Sequence, residues 1–180
     1  MNTRERKFVV EQLRASEARV LALLDGLTIE QWAFRERPER WSIADNLEHL
    51  VLFERFIRGA VLKMLENDAE AEKIIAVAAK LPAVLRIAES RESRIEARDI
   101  VRPAGRWPDT SEMISMLKRE RAKTVALSET TQANLESHFF EHLSLGDLNA
   151  YQWLVLIAQH SKRHALQIEE IKRDALYPRS

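Results

Sequence analysis

A chain of 180 residues, 46% hydrophobic and with only four glycines and five prolines, has the length and composition of a single, mostly helical domain that can bury a core without staples. It contains no cysteine, which excludes disulfides and thiolate metal sites, and its 28 basic and 28 acidic residues cancel, which argues against a general electrostatic grip on nucleic acid. No run of about 18 apolar residues occurs and the MNTRERKFVV start lacks a signal-peptide core, so a cytoplasmic protein with no membrane span is expected.

The first helix is predicted over residues 4–25, with Val10, Leu13, Val20, Leu21 and Leu24 as its apolar stripe and Gly26 just past its end. Glu17 projects from the middle of that stripe. The TIEQ segment from Thr28 has the spacing of a capping box and opens a short turn of helix. Ser42 is the expected N-cap of a second helix, about Ile43 to Leu65, with Asp45 suited to the positive end of its dipole. The apolar arc of that helix is Ile43, Leu47, Leu50, Phe53, Ile57, Val61 and Met64. His49 lies at the edge of the arc, where a lone histidine reads first as structural.

Residues 66–108 are the least regular part. Short helices are predicted near 69–80 and 82–92, divided at Leu81-Pro82 because proline has no amide hydrogen. The following SRIEARDIVRPAGRWP alternates in charge and reads as a solvated face rather than a nucleic-acid patch. Asp109 or Thr110 caps a third helix, about 111–137, with Ile114, Leu117, Val125 and Leu135 inward. Arg121 falls on the same face, so it needs an anion as an inward Glu17 needs a cation. Either these two meet or find other partners, or Glu17 serves as an acid–base group near a metal. Residues 138–148 end the third helix and turn into the fourth; His138 and His142 are spaced i, i+4 there, at a frayed helix end beside Gly146.

The fourth helix, capped by Asp147 or Asn149 and ending near Leu176, carries the most informative pattern. At about 100° per residue, Trp153, Ile157, His160, His164, Ile168 and Ile171 fall on one stripe. Two neutral imidazoles at i, i+4 on an apolar stripe are able to bind one transition-metal ion; the competing reading is a pair of core histidines satisfied by hydrogen bonds. The short link between the third and fourth helices makes them antiparallel neighbours, and the long one between the second and third lets those two run parallel. The expected fold is all-α: a four-helix bundle, up-down-down-up, with short helices in the long crossover.

Taken together, RWSIADNLEHLVLFER (40–55), RPAGRWPDTSEMISMLKRERAKT (102–124) and HLSLGDLNAYQWLVLIAQHSKRHALQI (142–168) resemble the DinB-like, or YfiT-like, family of metalloenzymes, which is unrelated to the DNA polymerase of that name. The matching features are Trp41-Ser42 before His49-Leu50, Arg121 on the third helix, His142 before Gly146, and the HSKRH run His160–His164 followed by Gln167-Ile168. Leu143 departs from the proline that the family often has after its loop histidine, which alters the turn and not the ligands. The resemblance implies one divalent transition metal (zinc, nickel or iron) held by His49, His160 and His164, with positions left open for water or substrate. Asn46 and Gln167 are the candidates for supporting the ligands, Glu54 is turned away and has no metal role, and Glu17 or His142 could supply a fourth ligand. Relatives in that family include thiol-dependent S-transferases and isomerases. A metal-dependent hydrolase, or a transferase using a low-molecular-weight thiol, is therefore the implied activity, on a small-molecule substrate that the chain does not name. The alternatives are a non-catalytic metal-binding or stress-response protein and a helical partner-binding domain. A homodimer through bundle faces is also expected, with no nucleic-acid or membrane partner.

Overall fold

Every long helix starts on a side chain that takes up the first unpaired amide groups. The computed structural model describes residues 1–89 and 97–179. Capping boxes, in which cap and third residue satisfy each other's amides, open α1 (Thr3–Leu24) from Asn2, α3 (Ile43–Met64) from Ser42 and, near the C-terminus, a 24-residue helix from Asn149. Thr28 opens the short α2 (Ile29–Ala33) in the same way. After α3 come a 3₁₀ turn at Ala71–Lys73, α4 (Ile74–Ala78), α5 (Leu81–Arg86) and a second 3₁₀ turn at Asp99–Val101. Asp109 then caps α6 (Thr110–Thr130), a hairpin follows of β1 (Phe139–His142) and β2 (Gly146–Asn149), and α7 (Ala150–Arg173) closes the order.

The fold is thus mostly helical, as expected, with one small antiparallel sheet that was not. The helix predicted to reach residue 137 stops at Thr130. Thr131 turns extended there, its hydroxyl accepts from the Ala133 amide, and Asn134 accepts from the Glu136 amide. These side chains offer the backbone an alternative to the helix ladder. Residues 138–148 are therefore not a frayed helix end. Phe139 pairs with Asn149 and His142 with Gly146, whose positive φ of 65° closes the three-residue loop between the strands. Between α4 and α5 the break falls at residues 79–80, because Pro82 sits in the first turn of α5, where no amide hydrogen is required. The end of the helix predicted over 82–92 and the start of SRIEARDIVRPAGRWP lie outside the described residues. Among those described, no helix is long and apolar enough to cross a membrane.

The long helices pack α1 on α7, α7 on α3, α3 on α6 and α6 on α1. Two apolar clusters fill the space between them. One combines Val9, Leu13, Ile57, Val61, Val125 and Leu154. The other combines Val20, Leu47, Leu50, Met113, Leu117 and Ile168. At the level between them lies a polar belt centred on Arg121, which is 1% exposed. Its Nε and Nη2 donate to both oxygens of Glu54 at 2.9–3.1 Å; Nη1 donates to the Leu13 carbonyl and to Ser16 Oγ, and Nη2 also to Ser161 Oγ. All five guanidinium N–H groups are used, on three different helices. The partner of Arg121 is therefore Glu54 and not Glu17, which lies half-buried nearby with its carboxyl pushed up by burial against the pull of Arg121.

Candidate metal centre

Because α3 and α7 pack with opposite register, Asn46 meets His164 and His49 meets His160. His49 and His164 are buried, 3% and 5% exposed, and the reachable ring nitrogens of His49, His160 and His164 all lie within 4.8 Å of one another. The His49 and His160 Nε2 atoms are 2.8 Å apart. Each buried ring is held from behind. The Val101 carbonyl can only accept, so His49 Nδ1 donates to it at 2.7 Å. Asn46 spends its amide N–H on the Ser42 carbonyl, leaving its oxygen to accept from His164 Nδ1 at 2.7 Å. In both rings the proton is thereby placed on Nδ1 and the Nε2 lone pair faces the cluster.

The surroundings orient the rings and disfavour charge on two of them. Burial pushes His49 down to about 4, against the opposing hydrogen bond to Val101, and pushes His160 well below its ordinary range, helped by repulsion from a protonated His49 and from Arg163. Phe53 stacks on His160 with ring centres 3.7 Å apart, and Trp41 lies parallel to His164 at 6.0 Å. Three imidazoles, two of them with the proton fixed on Nδ1, form a donor set that fits one transition-metal ion. No cysteine, carboxylate or fourth histidine joins them among the described residues.

The cluster opens on a cavity of about 820 Å³. Trp41, Phe53, Phe140, Trp153 and Leu156 give it an apolar wall, and Arg98, Arg102 and Glu141 contribute charge. Gln167 also lines it, with a buried Oε1 that has no hydrogen-bond partner among the described residues. His142 reaches the cavity from the end of β1; its Nδ1 accepts from the Ser144 and Leu145 amides at 3.2 and 3.3 Å, so its Nε2 carries the proton in the neutral ring. Glu17 and His138 do not line the cavity, and Glu54 is committed to Arg121.

Two residues behind the site were not anticipated. The stretch read as a solvated face contributes the buried Val101 and its carbonyl to the His49 ring. Glu48, one position before His49, is buried on the loop that follows Val101. A backbone acceptor leaves no letter in a sequence; the nearest signal was an acidic residue beside a histidine with no basic residue three or four positions away on its own helix.

A helical protein with a three-histidine cluster at the base of a cavity is what the fold and the site define, and the chain belongs to the DinB superfamily, whose family model matches residues 12–168. Among individual proteins it is similar to YuaE of Bacillus subtilis strain 168, itself uncharacterized, with 29% identity over 150 residues, covering 83% of this chain and 88% of the relative. No solved structure matches the chain significantly.

Proposed function

We propose that His49, His160 and His164 bind one divalent transition metal (zinc, nickel or iron), and that the protein is a metal-dependent enzyme acting on a small molecule, as a hydrolase or as an S-transferase using a low-molecular-weight thiol. The observation that carries this reading is the convergence of three imidazoles at the base of the cavity, with no fourth protein ligand among the described residues. When bound, such a metal acidifies a water or stabilises a thiolate. The chain's own groups prepare the site. Val101 and Asn46 fix two tautomers, Trp41 and Phe53 keep the rings in place and exclude water, and His142 presents an Nε2 donor to a substrate in the cavity.

The scaffold of this reading is one domain, a four-helix bundle in up-down-down-up order, in the cytoplasm. The register of cross-helix contacts supports that topology. Gln12 with Lys162 and Arg19 with Glu169 rise together along α1 and α7, as do Glu54 with Arg121 and Arg58 with Thr124 along α3 and α6. Arg6 with Ser128 and Ser16 with Arg121 run oppositely along α1 and α6.

Elemental analysis of untagged protein, reconstituted with each metal in turn, tests the proposal. About one equivalent of a transition metal per chain is expected, and less than about 0.2 of every metal overturns it. Alanine at His49, His160 or His164 should each lower metal affinity strongly, whereas His138→Ala should not. Exchangeable water on the bound metal separates the enzyme from a non-catalytic metal-binding or stress-response protein.

A further inference from the structure

Glu48 is a carboxylate only 2% exposed, and every donor that compensates its burial comes from one loop. Its Oε1 accepts from the Ala104 amide at 3.0 Å and from Arg106 Nη1 at 2.7 Å. Its Oε2 accepts from the Gly105 amide at 2.9 Å and the Arg106 amide at 3.3 Å. Three successive amides facing one anion form a nest, and Gly105 permits it through a φ of +68°, a conformation that branched side chains resist. Arg106 Nη1 also donates to the Arg102 carbonyl at 2.8 Å, closing the loop on itself. The peptide unit just before that loop is fixed at both ends. Its Arg102 N–H donates to the Asp99 carbonyl at 3.2 Å, and its Val101 carbonyl accepts from His49 Nδ1.

We propose that Glu48 is a positioning residue of the metal centre: its carboxylate moors residues 102–106, and through that loop it sets the Val101 carbonyl that fixes the tautomer and direction of the His49 ring. Consecutive residues of α3 thus grip two ends of one loop, Glu48 by charge and His49 by its ring. The proposal rests on the three-histidine reading and goes beyond it, because Glu48 is neither a member of the cluster nor one of the residues that line the cavity.

The test uses the full chain and zinc as probe. Competition with a chromophoric chelator should show Glu48→Gln lowering zinc affinity about 10–100-fold, the range seen when the supports of ligands are removed. Far-UV circular dichroism should stay helical. In the metal-free variant, the imidazole ¹⁵N signals of His49 should lose the single Nδ1–H tautomer, a readout that a general loss of stability does not move. Gly105→Val strains the same loop while leaving α3 untouched and should reproduce both effects, so the proposal stays testable if Glu48→Gln does not fold. Wild-type zinc affinity and an unchanged His49 tautomer in the folded variants overturn the role of Glu48 alone. No zinc binding by the wild-type chain overturns the histidine reading, and the proposal with it.

Discussion

Acidifying the metal-free protein titrates its buried imidazoles against their own burial. The folded pKa of His49 lies at about 4 and that of His160 well below its ordinary 6.5, whereas both recover ordinary values in the unfolded chain. Between pH 6.5 and 4 the unfolded state therefore binds more protons than the folded state, and stability falls as the pH falls. Urea midpoints of the chelated protein should drop progressively across that window, and His160→Asn should flatten the slope; a midpoint constant from pH 7 to 4 contradicts the burial argument. Gln167 gives a prediction of opposite sign. Its buried Oε1 has no partner among the described residues, and such an acceptor costs about 1–3 kcal/mol. Gln167→Leu should raise the melting temperature of the free protein by several degrees, at about 2–4 °C per kcal/mol. A lowered melting temperature would mean that Gln167 contributes to the fold and not only to what enters the cavity.

At the level of elements, the belt between the two apolar clusters is the most sensitive place in the scaffold. Arg121→Met removes the only guanidinium on Glu54 among the described residues and leaves a carboxylate that is 1% exposed. Breaking such a pair from one side is expected to cost about 3–5 kcal/mol, whereas Arg121→Met with Glu54→Leu should recover most of that loss. Equal destabilisation of the single and double variants, measured by chemical denaturation, would contradict this. The long helices were legible because their signals are local: Ser42 and Asn149 mark their starts, and the apolar period runs through α7 with His160 and His164 on the stripe. The hairpin was not. Strands of four residues carry only two alternations, and His138 and His142 happen to share a helical spacing. Arg121 was readable as an inward cation, but its choice of Glu54 over Glu17 depends on how the helices rotate against each other. His49 read as structural by its place on α3 and as a ligand only by resemblance; the distance to His160 is a tertiary fact. Val101 acts through its carbonyl, which any residue would supply.

For the molecule as a whole, the metal should be dispensable for folding. Both apolar clusters and the belt form without the histidine cluster, so the chelated protein is expected to stay helical and to unfold cooperatively. Its melting temperature should fall only as mass action requires, by an amount that grows with the logarithm of the metal concentration removed. Collapse of the far-UV circular dichroism spectrum on chelation would instead give the metal a bracing role. The packing of α1 carries a consequence for biosynthesis. Its neighbours are α6 and α7, so Arg19 waits for Glu169 and Leu13 for Arg121. Contacts so distant in sequence form late, and a helix made early keeps Val9, Leu13, Val20 and Leu24 uncovered while the ribosome completes the rest. Since α7 brings both the cover for α1 and two of the three histidines, a nascent chain cannot assemble the histidine cluster before its core is able to close.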